Sequence, residues 1–262
     1  MLLAIDVGNT NIVFGVFRGE ELIAHWRFST HKEQTEDEYG ILLKNLMEDT
    51  DIDYRQIKGV VISSVVPTIT PYLEKMCGKY LGMKPLVVGP GVKTGINIKV
   101  ENPREVGADR IVNIVGATYK YKVPLIVVDF GTATTFDAVS ADMEFLGGVI
   151  APGLLISAEA LFRSASKLYR VEIIKPDRVI GKNTSTNIQS GLFFGYAGLV
   201  DNIVELMKRE MKEEIGAEKV FVVATGGIAQ LISSGSRTID KVDPMLTLEG
   251  LRIVYEKNAG SF

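Results

Sequence analysis

The chain has 262 residues, 46% hydrophobic and 23% charged, with mean hydropathy +0.17, which is ample apolar material for a packed core and excludes wholesale disorder. Its formal net charge of −3, from 29 basic and 32 acidic residues with no polybasic run, argues against a nucleic-acid partner. Cys77 is the single cysteine, so neither an internal disulfide nor a zinc site is expected, and its simplest role is a small core residue. The N-terminal MLLAIDVGNT has no basic leader and no small-residue cleavage site. The uncharged, apolar stretch Phe145 to Ala158 is shorter than the roughly 20 residues of a membrane span. A cytoplasmic enzyme with no membrane partner is the expectation, built as one large domain or two small ones.

In chain order, Leu2 to Phe17 is apolar and β-rich, interrupted by Asp6-Val7-Gly8-Asn9-Thr10-Asn11, and turns at Arg18-Gly19-Glu20 into the alternating run Leu22 to Phe28. The pattern predicts a hairpin with a polar interruption in its first strand. Thr35 followed by Glu38 has the capping-box form, and Tyr39, Leu42, Leu43 and Leu46 give a helical stripe. Gly59 to Ile62 predicts a buried strand leading into Ser63-Ser64-Val65-Val66-Pro67, then a helix near Thr70 to Leu81. Leu86 to Pro103 reads as a strand followed by surface loop, Gly107 to Tyr121 as a helix, and Leu125 to Val128 as a central buried strand. Alternating strands and helices place the chain in the α/β class. After Gly147-Gly148 and the turn at Pro152-Gly153, helices are expected from Ala158 to Lys167 and from Thr184, as its cap, to about Glu214. Ile188, Leu192, Tyr196, Leu199, Ile203 and Met207 should line one face of the longer helix, with Gly191, Gly195 and Gly198 as a small-residue strip. A last strand, Val220 to Ala224, runs into Thr225-Gly226-Gly227 and a closing helix with Leu251, Val254 and Tyr255.

The chain repeats itself. Asp6-x-Gly8-x-Thr10 and Asp129-x-Gly131-x-x-Thr134 each follow a strand, and they lie 123 residues apart in a chain of 262. A carboxylate before a strand-end glycine, with hydroxyl and amide side chains after it, suits a nucleotide phosphate: the Asp faces Mg2+, the glycine admits close backbone approach, and the polar groups hold phosphate oxygens. Two such loops and a late glycine pair suggest two lobes closing on ATP. Asp109, at a helix start where the dipole favours its ionised form, has the chemistry of a base toward an alcohol, and Arg110 beside it could steady an anion. Asn113, one turn further, is a candidate to orient that carboxylate. Gly181-Lys182-Asn183-Thr184 is not a Walker loop, because the hydroxyl does not follow Lys directly. His25 and His31 have no metal or triad spacing, and Trp26 with Phe28 reads as a strand pair in the core.

Asp6 to Asn11, Asp129-Phe130-Gly131-Thr132-Ala133-Thr134-Thr135 and Ala224-Thr225-Gly226-Gly227 resemble the phosphate-1, phosphate-2 and adenosine motifs of the superfamily of acetate and sugar kinases, heat-shock chaperones and actin. Ser63 to Pro67, Asn102-Pro103, Gly107-Ala108-Asp109-Arg110, the Asp129 motif and Gly181 to Thr184, in this order, closely resemble the type III pantothenate kinases. The resemblance implies a duplicated ribonuclease H-like (actin-like ATPase) fold, α/β, with two lobes of mixed five-stranded sheets flanked by helices, spanning 1–118 and 119–262, the closing helix packing back on the first. It implies phosphorylation of pantothenate by ATP. Asp6, Val7, Gly8, Asn9, Thr10, Asn11, Ile12 and Val13 would form the phosphate loop, and Thr132 would add a nucleotide contact. Asp6 would face Mg2+, and Asp129 would ligate the monovalent cation, K+ or NH4+. Asp109 would be the base, with Gly107, Ala108, Asp109, Arg110 and Thr184 holding pantothenate in a homodimer. Val100 stands where some relatives carry a pocket-lining aromatic, so an aromatic hydroxyl contact is not expected there. The rival readings are another small-molecule kinase of this superfamily, acting on a sugar or carboxylate, and a non-catalytic nucleotide-binding regulator.

Overall fold

A computed structural model describes residues 1–259. The chain begins with three strands, β1 (Leu2–Val7), β2 (Asn11–Arg18) and β3 (Glu21–Ser29), paired antiparallel in succession. The polar segment expected inside the first strand is the turn between β1 and β2, so the hairpin becomes a three-stranded meander. Helix α1 (Glu36–Asp49) starts at the expected capping box: Thr35 Oγ1 accepts from Glu38 N, and Thr35 N donates to Glu38 Oε2 at 2.7 Å. Strand β4 (Gly59–Ser64), helix α2 (Thr70–Met76, prolonged by a π turn at Cys77–Leu81) and β5 (Leu86–Val87) follow.

Next come β6 (Asn97–Ile98), α3 (Ala108–Lys120), β7 (Leu125–Phe130), β8 (Ala133–Val139), β9 (Glu144–Pro152) and α4 (Leu154–Ser164). Helix α4 overlaps its expected span of Ala158 to Lys167 but starts four residues and ends three residues earlier. The 32-residue α5 (Thr184–Ile215) is capped by Asn183, whose Oδ1 accepts from Thr186 N at 2.8 Å, so Thr184 is its first helical residue and not its cap. Its buried face runs through Phe193, Tyr196, Val200, Val204, Met207 and Met211, leaving Leu192, Leu199 and Ile203 partly buried on the flank. The chain ends with β10 (Phe221–Gly226), α6 (Ala229–Ser233), β11 (Lys241–Val242) and α7 (Leu246–Asn258).

The chain divides into two compact units. The first holds Met1–Gly95, Asn102–Gly116 and the described residues from Leu246 on; the second holds Ile96–Glu101 and Ala117–Met245. In the first, five strands run in the order β3-β2-β1-β4-β5, with β1, β4 and β5 parallel. In the second, the series β9-β8-β7-β10-β11 repeats those pairings, antiparallel then parallel, in the same sense. Even the register slips correspond, at Val16/Phe17 on β2 and Ala138/Val139 on β8. The second sheet departs from the expected five strands: β6 adds a sixth beside β9, pairing Asn97 with Glu144. Strand alternation sends Leu3, Ile5 and Val7 into a core with Tyr39, Leu43 and Met76 in the first unit. Ile126, Val128 and Phe130 meet the buried face of α5 in the second.

Cys77 lies in the first core, where burial pushes its thiol up to about 12, an inert packing residue as expected. Trp26 and Phe28 pack against that core, and Phe28 meets Phe14 edge to face. In the second unit Asp201, buried on α5, accepts from Ser236 Oγ, Thr238 Oγ1 and the backbone of Arg237 and Thr238. Burial pulls its pKa upward, but these hydrogen bonds outweigh it and hold the carboxyl below its ordinary value. No helix among the described residues is long and apolar enough to cross a membrane.

Candidate active site

In the first unit the end of β1 and the start of α3 meet at one edge of the sheet. Val65 N, just past β4, donates to Val7 O at 3.0 Å, which carries the β1–β4 pairing out to the strand ends. Val65 then lies beside Gly107: a Cβ at Gly107 would come within 3.6 Å of Val65 Cγ1 and 2.5 Å of Asp109 Oδ1. A side chain at 107 would therefore strike the Asp109 carboxylate. The turn Gly8-Asn9-Thr10 closes through Gly8 N donating to Asn11 O at 2.9 Å. Thr30, at the end of β3, latches it twice, its Oγ1 donating to Gly8 O at 2.7 Å and its N to Thr10 O at 3.0 Å. Asn9 and Thr10 are exposed at the tip, whereas Ile12 is buried in the core and can offer a ligand only its backbone. Asp6 lies on the opposite face of β1 from the core residues Ile5 and Val7. Its register partners are Val13 on β2 and Ser63 on β4. Ser63 is fully buried, and its Oγ meets no hydrogen-bond partner among the described residues.

Asp109 sits in the first turn of α3, half-buried. Burial raises its pKa; the Arg110 N–H, donating to Oδ1 at 2.7 Å, and the Arg110 charge act the other way without overcoming it. Loss of water thus outweighs the favourable groups around the carboxyl. Asn113 is buried and accepts from Thr247 Oγ1 of α7 at 2.7 Å. This hydrogen bond ties α3 to α7, which cross closely enough that a Cβ at Gly116 would lie 2.6 Å from Leu246 O.

In the second unit Asp129 ends β7, across from Thr135 on β8 and Thr225 on β10. Thr225 is buried, and Thr135 Oγ1 is buried without a hydrogen-bond partner among the described residues. Gly226 follows with φ +96°, and a Cβ there would lie 2.6 Å from both Asp129 Oδ1 and Phe130 O. Thr132 is exposed at the tip of the turn. Beneath it Gly153 N donates to Thr132 O at 3.1 Å, and a Cβ at Gly153 would fall 2.2 Å from that oxygen. Val100, half-buried past β6, lies against Gly147; Thr184 is exposed at the first position of α5. Sequence reasoning gave no role beside the turns to Thr30, Gly153 and Tyr196, whose hydrogen-bond partners lie far away in the chain.

Asp129 is flanked in register by the hydroxyls of Thr135 and Thr225, and Asp6 by that of Ser63, so the side-chain oxygens here are the hard donors that suit Mg2+ or a monovalent cation. Among the described residues no group of three His, Cys, Asp or Glu forms a metal centre of its own.

Residues 2–206 match the model of the type III pantothenate kinase family, a span that includes both Asp-x-Gly turns and Gly107 to Arg110 but not Ala224 to Gly227. Among solved structures, a Campylobacter jejuni protein described as a conserved Baf family transcriptional activator is 18% identical, with TM-score 0.60 over 98% of this chain and 99% of that one. A reductive activator for a corrinoid, iron-sulfur protein is 13% identical, with TM-score 0.56 over 99% of this chain and 61% of its own. A Sinorhizobium meliloti protein described as a 2-dehydro-3-deoxygalactonokinase is 10% identical, with TM-score 0.52 over 100% and 97%. At these identities the likeness is one of fold, the duplicated ribonuclease H-like fold of the actin-like ATPases. With the family match covering most of its length, the chain belongs to the type III pantothenate kinase family.

Proposed function

We propose that this chain transfers the γ-phosphoryl group of ATP to the terminal hydroxyl of pantothenate, giving 4′-phosphopantothenate and ADP, the first step of coenzyme A synthesis. The observation that carries the reading is Asp109, a carboxylate drawn out of water at the edge where β1 and β4 end, with Arg110 beside it. A base of raised pKa accepts the hydroxyl proton more readily as the oxygen attacks the γ-phosphorus and the bond to the bridging β,γ-oxygen breaks. Gly107 and Ala108 keep the approach to Asp109 narrow, Arg110 and Thr184 hold pantothenate, and Val100 supplies an apolar wall. Asp6 to Val13 present backbone N–H groups and the Asn9 and Thr10 side chains to the phosphates, and Thr132 adds a nucleotide contact. Asp6 would face Mg2+ and Asp129, between Thr135 and Thr225, would hold K+ or NH4+; both ions, when bound, offset the phosphate charge.

Self-association is part of the proposal. Leu155, Ile156 and Leu161 on α4 are exposed, and Cβ atoms at Gly191, Gly195 and Gly198 of α5 would meet nothing within 4 Å, so an apolar and a small-residue surface stand open for a second copy. The test is incubation with ATP, Mg2+ and pantothenate in K+, NH4+ or Na+, with mass spectrometry of the products. A pantothenate species heavier by one phosphate, formed in K+ or NH4+ and much less in Na+, is expected. Absence of that species in both K+ and NH4+ contradicts the reading.

A further inference from the structure

We infer that Tyr196 is a positioning residue for nucleotide phosphate, acting through a hydroxyl relay beneath the turn at Gly131-Thr132. Tyr196 lies on α5, its ring packed in the core of the second unit and its hydroxyl 2.6 Å from both Thr134 Oγ1 and Pro152 O. The proton count fixes the direction of this chain. Pro152 O is a carbonyl and can only accept, so the single phenolic hydrogen goes there. Thr134 Oγ1 must then donate its own hydrogen to Tyr196 Oη. Thr134 is fully buried and shares its face of β8 with Phe136 and Ala138, both in the α5 core, so its hydroxyl serves the scaffold. Thr135, the next residue, points to the opposite face beside Asp129.

The two ends of the relay are the two sides of the turn. Thr134 lies on the strand that leaves it. Pro152 ends β9, and the following residue, Gly153, donates to Thr132 O. Thr134 and Ala151 are register partners, so β8 and β9 are already paired here. The tyrosine adds a fixed spacing between the turn and α5, set by a rigid ring that holds Oη in its plane. Thr132, at the exposed tip, inherits that placement. Removal of the phenolic oxygen leaves the packing of the ring intact but frees Thr134 and the Pro152 carbonyl from a common partner. The turn then loses its height relative to the helix, and phosphate contacts made from it lose alignment.

This inference rests on the proposed function only in taking a nucleotide phosphate as the ligand of the turn, and its readout is affinity, not turnover. Binding of Mg2+ with a non-hydrolysable ATP analogue is measured by calorimetry on the full chain, well below the melting transition. Tyr196→Phe and Thr134→Val should each weaken binding about ten-fold, the scale of one misaligned hydrogen bond to a charged group. The double variant should be no weaker than the poorer single one, because both remove the same relay. Thr134→Ser, which keeps the hydroxyl, should bind like the parent, and because every variant is measured fully folded, a loss of stability alone would leave the affinity of Thr134→Val unmoved. If Tyr196→Phe does not fold, the Thr134→Val and Thr134→Ser pair carries the test. Unchanged affinity in folded Tyr196→Phe, or in Thr134→Val, overturns the inference. Weakened affinity in these variants supports it even if pantothenate is never phosphorylated, a result that would strike the proposed function alone.

Discussion

The turns after β1 and β7 are copies of one device with different side-chain surroundings. Both follow the fifth residue of a central strand, an aspartate, and both lead into an antiparallel strand with a register slip near its far end. Around Asp6 the register partners are Val13 and Ser63; around Asp129 they are Thr135 and Thr225. The first turn is latched from the side by Thr30, whereas the second is braced from below by Gly153. The duplicated backbone supplies a carboxylate at a strand end in each unit, and the neighbouring side chains differ. The second carboxylate is the richer in flanking oxygens, and under the proposed function it is the one that takes the monovalent cation. The first is associated with the edge that carries Asp109.

The largest effect belongs to that edge. Asp109→Asn should lower kcat by about 10²–10⁴, the usual range for loss of a general base, in steady-state assays with pantothenate saturating. It should also raise the melting temperature at neutral pH. Because the folded pKa of Asp109 is raised, its contribution to stability falls as pH rises from the ordinary aspartate range through the raised value, and asparagine does not incur this loss. A variant that is inactive and less stable would point to damage and not to a missing base.

Backbone crowding separates the turns next. Gly153→Ala places a carbon against Thr132 O and should cost about 3 kcal/mol in urea denaturation; Gly226→Ala, at positive φ and against Asp129, should cost about 2–3 kcal/mol. Gly8→Ala brings its Cβ only to 3.0 Å from Asn11 O and should cost about 1 kcal/mol. Equal costs at 8 and 153 would erase the distinction between a side latch and a brace from below.

The hydroxyl contrast predicts smaller changes. Thr135→Val or Thr225→Val should raise the half-activating K+ concentration about three- to ten-fold, while Ser63→Ala leaves it unmoved. Ser63→Ala should also stay within about 0.5 kcal/mol of the parent in stability, because the buried Oγ it removes has no partner to lose. A K+ response that shifts with Ser63 and not with the threonines would reverse the assignment of the two carboxylates.

Much of this was readable before any coordinates. The spacing of the two Asp-x-Gly turns announced the duplication, and the Thr35 and Glu38 pair announced α1. What escaped depends on partners far away in sequence. Strands β6 and β11 are two residues each, too short for periodicity to register, so the sixth strand of the second sheet lies inside the segment read as surface loop. Thr30, Gly153 and Tyr196 look like an ordinary strand end, turn and helix face until register places them against the turns. At α5 two adjacent residues, Asn183 and Thr184, both suit a cap, and the Thr186 hydroxyl selects the first. The position of Asp109 at a helix start was legible; its loss of water was not, since burial depends on tertiary packing.

The most direct test of Asp109 as the base is the pH dependence of kcat/KM for phosphoryl transfer from γ-labelled ATP to pantothenate in K+. Asp109 must be deprotonated to accept the hydroxyl proton, so activity should fall on the acid side along a limb displaced above the ordinary aspartate range, and the residual activity of Asp109→Asn should lack that limb. An acid limb unchanged in Asp109→Asn, or turnover in that variant equal to the parent, would contradict the assignment.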